Sequence, residues 1–295
     1  MANMNELESF LKQCGPETQL LDYCLWPYPP LVDPKGKQHS FNLLLNSFAA
    51  TGVGINGVKL ISEIQNVMGE GQTVWGVKLS GGKICWELYF YDYARLERKN
   101  SFSRLKQLMP KSLSTALDIS EDVPYFMFSI DLDIDGLNAG CLNLSEANIY
   151  IGNDGSNVSS GICYQLSEEG LSLSNLYYFY NSVKEKEDIL AKIASSVHLN
   201  LRKLDFNKIL LPELRDCETT VVANKKQNEG IYFSRIKIDQ LIWFLRSMGY
   251  PEEIQDYVTA SRNELDHMLY DVGIDYKMLP DGQIEVLKTS YYGIF

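Results

Sequence analysis

The sequence predicts an α+β fold built on a closed, ten-stranded antiparallel β-barrel with helices outside. Three observations carry that prediction. A strand, a Gly-containing turn and a second, often tyrosine-rich strand recur five times, at 73–93, 125–152, 161–181, 217–238 and 268–295. Links such as SGGK, SEEG, KKQNEG and LPDGQ are turn-sized, and short links force antiparallel pairing. Helical periodicity separates most of the units, and ten strands can close on themselves, which removes unpaired edges. An open ten-stranded sheet is the alternative that the same elements allow.

The chain reads as a single domain over 1–295, with a helical, proline-containing lead-in over 1–70 and the barrel repeats over 71–295. Residues 5–13 predict a helix that stops at Gly15-Pro16, and the prolines of DYCLWPYPPLVDPKGK predict extended chain. Apolar residues at 3.6-type spacing place helices over 42–48 and 58–70, joined by the Gly52–Gly57 stretch. After the first hairpin, ARLERKNSFSRLKQLM carries one buried stripe on an outer helix. The pattern repeats over 181–199, 237–250 and 252–268, the last two separated by Gly249 as helix stop and Pro251 as the next start.

Composition narrows the function classes. With 45% hydrophobic and 22% charged residues the chain is an ordinary globular one. A net charge of −11 argues against nucleic acid and anionic membranes, both of which select a basic footprint. The six cysteines form no CxxC pair, so free thiols in a reducing cytoplasm are expected. No run of about 18 apolar residues and no signal-peptide pattern occurs, so no membrane span is predicted and the protein is expected to be cytoplasmic and monomeric.

Strand alternation sorts each hairpin into two faces. In ICWELYFYDY, Ile84, Trp86, Leu88 and Phe90 share one face, and Glu87, Tyr89, Tyr91 and Tyr93 share the other. The same division sends Asp131, Asp133 and Asp275 inward with Arg235 and Lys288. A ten-stranded barrel is too wide for side chains alone to fill, so this lining implies a solvated chamber able to hold a ligand. On an open sheet the same residues are simply the solvent face.

The segments VKLSGGKICWELYFYDY, NEGIYFSRIKI and VGIDYKMLPDGQIEVLKTSYYGIF resemble the ABBA-type prenyltransferases, nearest to the cyanobactin or ribosomal-peptide branch. The resemblance covers most of the chain from about residue 70 by pattern more than identity. It implies a PT barrel that moves a short isoprenyl group from an allylic diphosphate to a peptide, amino-acid or small aromatic acceptor in natural-product biosynthesis. No cofactor is then required, although Mg2+ can accompany the diphosphate. Under this reading Lys78, Arg235, Lys237, Lys288 and Tyr292 bind diphosphate, while Trp75, Tyr89, Tyr91, Tyr178 and Tyr180 shelter the carbocation. Glu87, Asp131, Asp133 and Asp275 orient the acceptor or move its proton. Glu87 stands where the resembling enzymes place a basic ligand, and the second hairpin lacks Lys and Arg. A non-catalytic barrel that binds a small cationic or aromatic ligand, or a protein, is the second reading.

Two other motifs are weighed. Gly52-Val-Gly54-Ile-Asn-Gly57 spells a dinucleotide loop, but no βαβ unit follows it. Asp131-x-Asp133-x-Asp135-Gly136 opens like a calcium loop, but Leu142 occupies the position that needs a Glu. The three histidines, His39, His198 and His267, lie far apart and suggest neither a metal centre nor a catalytic triad.

Overall fold

The computed structural model describes residues 7–15, 21–23, 26–69, 73–92, 98–155 and 158–295. Ten strands form the barrel: β1 (Thr73–Ser80), β2 (Lys83–Tyr91), β3 (Tyr125–Leu132), β4 (Ala147–Gly152), β5 (Ser160–Ser167), β6 (Gly170–Asn181), β7 (Thr219–Lys225), β8 (Glu229–Ile236), β9 (Tyr270–Met278) and β10 (Ile284–Ile294). Each pairs antiparallel with the next, and β10 closes onto β1 from Lys288↔Ser80 to Ile294↔Val74. The barrel is closed, as the five units predict, and the open sheet is excluded.

The helices are α1 (Phe41–Thr51), α2 (Ile55–Met68), α3 (Phe102–Leu108), α4 (Ile134–Ala139), α5 (Lys186–Ala194), α6 (Ile238–Ser247), α7 (Glu252–Ala260) and α8 (Arg262–Leu265). Most fall where periodicity puts them, with two corrections. The 5–13 helix reduces to a single 3-10 turn at Glu8–Phe10. In the second unit the strand stops at Leu132, because the Asp133 carboxylate accepts the Gly136 N–H at 2.7 Å and caps α4. Asp133 and Asp135 therefore leave the barrel wall, and the D-x-D-x-D-G stretch is a helix start rather than an ion loop. In the helix predicted over 94–109, Leu96 lies outside the described residues, and α3 begins after Ser101 accepts the Arg104 N–H at 3.1 Å.

The apolar face of each strand packs outward under these helices. Trp86 is fully buried, meets Phe48 of α1 edge-on at 5.1 Å and donates its indole N–H to Ser47 Oγ at 2.9 Å. Trp75 likewise points outward, packs edge-on against Tyr291 at 5.9 Å and donates to the Ile294 carbonyl at 2.9 Å. Burying large side chains of this kind contributes roughly 1.5–3 kcal/mol each.

The inward face obeys a simpler rule. Tyr89, Tyr150, Tyr177, Tyr232 and Tyr292 come from β2, β4, β6, β8 and β10, one from every even strand. Their rings form a belt across the lumen, with centroids 5.8 Å apart for Tyr292–Tyr89, 6.3 Å for Tyr89–Tyr150 and 6.2 Å for both Tyr150–Tyr177 and Tyr177–Tyr232. Small residues on the odd strands leave room for them. A Cβ on Gly76 would lie 2.8 Å from the Tyr292 ring, and one on Gly273 would overlap the Tyr232 ring outright. Glycine beneath an aromatic neighbour is how a curved sheet accepts a ring lying across it.

Gly273→Ala should therefore destabilise the protein by about 1–3 kcal/mol through overpacking. Gly155→Ala, where nothing lies within 4 Å of the added carbon, should cost much less. Denaturant melts of the two variants check this, and equal costs would mean that the belt does not fill the barrel as described.

Candidate functional site in the barrel lumen

Even strands all run in the same direction, so their tyrosines lean the same way and the hydroxyls share one side of the belt. Tyr89 donates to Glu87 Oε2 at 2.5 Å, Tyr292 and Ser290 share a hydrogen bond of 2.8 Å, and Tyr177 accepts from Asn175 at 3.2 Å. Tyr150 meets Ser129 at 3.4 Å, and Tyr232 donates to Asp275 Oδ1 at 3.2 Å. Above the hydroxyls lies a polar chamber. Exposure rises from about a tenth for the Lys78, Lys225 and Asp275 side chains to 27% for Lys288 and 64% for Asp131, which marks the mouth.

The charges in this chamber are divided between two sides. On β1 to β3, Lys78 pairs with Glu87 and with Asp131 at 2.5 Å, one cation against two carboxylates. On β7 to β10, Lys225 reaches both Asp275 oxygens at 2.7 Å while Lys288 reaches Oδ2 at 2.8 Å, two cations against one carboxylate. The lumen is neutral in sum and dipolar in arrangement. Ser129 also donates to Glu87, and the side-chain amide of Asn148 approaches it at 3.4 Å.

Burial sets the proton affinities, and partners adjust them. Burial pushes the Glu87 and Asp275 carboxyls up, but Lys78 outweighs it at Glu87, and Lys225 with Lys288 outweigh it at Asp275, so both lie below the usual carboxylate range. Burial lowers Lys78, yet Glu87 and Asp131 together carry it above its ordinary value. Lys225 moves the other way: burial pulls it down, and Lys288 and Lys78 add to that against Asp275. Burial raises the phenols of Tyr89, Tyr150, Tyr177, Tyr232 and Tyr292, so the belt presents neutral hydroxyls.

Of the residues singled out in the sequence, Glu87, Tyr89, Asp131, Asp275, Lys78, Lys288 and Tyr292 come together in this chamber. Tyr91 continues the inward face of β2 on the far side of the belt. The others lie elsewhere. Trp75 faces the helices, and Asp133 caps α4. A bulge between Phe233 and Ile236 breaks the alternation of β8, so Arg235 takes a positive φ of 64° and pairs with Glu218 at 2.9 Å, its guanidinium 5.2 Å from the Tyr28 ring centroid. Lys237 is exposed at the start of α6. Tyr178 sits under the Lys192 ammonium at 3.8 Å outside the wall, and Tyr180 lines a surface cavity of about 570 Å³ beside α5.

Lys225, Tyr150 and Tyr177 are the lumen residues that sequence reasoning passed over. Lys225 opens the KKQNEG link in the sequence, yet alternation from Val221 and Ala223 aims it inward. Tyr177 was obscured by a register shift between Leu173 and Asn175, which swaps the faces of the YYFY run.

No helix among the described residues is long and apolar enough to cross a membrane. No family model matches the sequence. The chain is 22% identical over 284 residues to a JmjC domain-containing protein of Acanthamoeba polyphaga mimivirus, a match covering 80% of this chain and 44% of that protein. The chain thus spans less than half the length of the curated relative it matches. This likeness overturns the prenyltransferase reading, because the relative is named for a JmjC domain and not for isoprenyl transfer. Isoprenyl diphosphate chemistry, a place in natural-product biosynthesis and the expectation that no cofactor is required fall with it. The charge balance agrees, since three lumen lysines face three carboxylates where a diphosphate clamp calls for surplus cations.

Proposed function

We propose that the lumen binds a small 2-oxo dicarboxylate, 2-oxoglutarate being the first to test, with its carboxylate on the Lys225 and Lys288 side. The observation that carries this is two lysines, Lys225 and the half-buried Lys288, sharing the single carboxylate of Asp275, which leaves one positive charge for a ligand to neutralise. The neutral phenol of Tyr232, which accepts from Lys225 Nζ at 3.3 Å and donates to Asp275 at 3.2 Å, lies on the same side. Across the chamber, Glu87 and Asp131 outnumber Lys78, and Asp131 reaches the mouth, which suits a cationic group entering from solvent. JmjC domains are typically iron(II)- and 2-oxoglutarate-dependent, so the likeness to a protein named for containing one supports an enzyme of the oxidoreductase class with this co-substrate.

The iron half of that chemistry does not fit the residues. Among the described residues no group of three or more His, Cys, Asp or Glu side chains is placed to hold a metal ion. All three histidines lie outside the chamber: His39 Nδ1 accepts the Phe41 N–H at 3.2 Å, His198 Nε2 lies 3.3 Å from the Lys225 carbonyl, and His267 Nε2 lies 3.4 Å from Cys14 Sγ. No step through iron is therefore derived, and the reading rests on the anion site.

Calorimetry with 2-oxoglutarate, succinate and inorganic phosphate tests it. Binding of 2-oxoglutarate should weaken roughly tenfold or more in Lys288→Met, the loss of one charge-assisted hydrogen bond worth about 1.5–3 kcal/mol. Absence of binding, or binding untouched by that change, would sink the proposal.

The Lys78–Glu87 and Lys225–Asp275–Lys288 pairs make the fold acid-sensitive, whereas burial and Glu87 hold the Asp131 carboxyl up. Glu87 and Asp275 sit below their ordinary values of 4.5 and 3.8, so the stability they contribute is present above those values and is lost as pH falls through the lower folded-state ones. Denaturant melts should show stability falling from about pH 4.5 downward. Glu87→Gln should flatten the upper part of that decline; an unchanged slope would remove Glu87 from the cause.

A further inference from the structure

Lys225 combines three features that neither of the other two chamber lysines, Lys78 and Lys288, combines. It is held by a carboxylate that it must share, since Lys288 Nζ contacts the same Asp275 at 2.8 Å. Its side chain is only 10% exposed. Tyr232 stands beside it at 3.3 Å with a phenol that burial keeps protonated. A lysine in a dry site next to a second ammonium is the arrangement that turns a point charge into a nucleophile, because the neutral amine relieves the repulsion. Lys78 lacks it, having two carboxylates to itself.

We propose that Lys225 is a reactive amine that condenses with the ketone of a 2-oxo acid held in the chamber and forms an imine. This rests on the ligand reading above. Lys225 first releases one proton to solvent through the mouth. The amine then attacks the carbonyl carbon, a C–N bond forms, and the C=O π pair moves to oxygen, which takes a proton from the Tyr232 hydroxyl. Asp275, 2.7 Å from Nζ, accepts the proton leaving nitrogen and passes it on. The C–O bond breaks, oxygen leaves as water with that proton as its second, and the remaining N–H proton passes through Asp275 back to the Tyr232 oxygen, leaving a neutral C=N bond. One amine and one ketone give one imine and one water, with nothing oxidised or reduced.

The groups facing Lys225 are Asp275 on β9, Lys288 on β10, Tyr232 on β8, Asn175 and Tyr177 on β6, Cys163 on β5 and Lys78 on β1. Burial holds the Cys163 thiol up at about 12 and keeps it neutral. Lysines and Asp275 therefore dominate the charge that Lys225 feels, so removing the Lys288 ammonium should shift the pH dependence of Lys225.

The experiment treats the full chain with 2-oxoglutarate or, separately, with propanal as a neutral carbonyl probe, then reduces with sodium borohydride and maps the adduct by peptide mass. A stable adduct on Lys225 with both probes is expected, absent in Lys225→Met. With propanal at pH 7, Lys288→Met should lower labelling of Lys225 by about tenfold and move its half-point about one pH unit higher. Labelling spread evenly over surface lysines, or unchanged by Lys288→Met, overturns the proposal. Calorimetric binding of 2-oxoglutarate with no adduct overturns the imine and leaves the ligand reading standing. Propanal labelling of Lys225 with no binding of 2-oxoglutarate overturns the 2-oxo acid as its partner.

Discussion

The register that seats β10 against β1 is the constraint on which the rest depends. It aligns Lys288 with Ser80, Ser290 with Lys78 and Tyr292 with Gly76 in one step. Closure removes the two edges that an open sheet would expose, and it completes the inner wall. A slip of one residue would turn Tyr292 and Lys288 to the outside and drive Tyr291 and Thr289 inward, because strand side chains alternate. The belt and the cation pair at Asp275 thus stand or fall with one set of backbone hydrogen bonds.

The interior then follows from direction. Even strands run parallel to one another around a barrel of consecutive antiparallel neighbours, so a tyrosine on each presents its hydroxyl to the same side. Glycines on odd strands, at Gly76 and Gly273, are the spaces those rings need. The belt separates the polar chamber from the far end, where Val74, Met127 and Val221 continue the inward face. In the polar chamber each buried ion finds a partner and avoids the larger cost of standing alone.

The uneven sharing of those partners gives the chamber its chemical character. Each carboxylate and each lysine is paired, yet the pairing is two to one on either side in opposite senses. A symmetric pairing would be a structural network and little else. The observed one leaves the β7–β10 side of the lumen positive and the β1–β3 side negative, which orients a ligand bearing both kinds of group before any conformational change.

The sequence by itself determined the parts of the container: five strand-turn-strand units, antiparallel pairing from the short links, outer helices, and the shared face of Glu87, Tyr89, Asp131, Asp275 and Lys288, while closure rather than an open sheet was left to the structure. These are local properties, set by turn length and by side-chain alternation along a few residues. Only the tertiary structure decided the contents. Which carboxylate meets which lysine depends on residues some 50 positions apart, as with Lys78 and Asp131 or Lys225 and Asp275. The bulges that turned Arg235 out and brought Tyr177 in are set by the strands on either side of them. Alternation foretells a face but not a partner, and the resemblance read from the repeats named a chemistry that the arrangement of charges and the likeness to a JmjC domain-containing protein both turn away from.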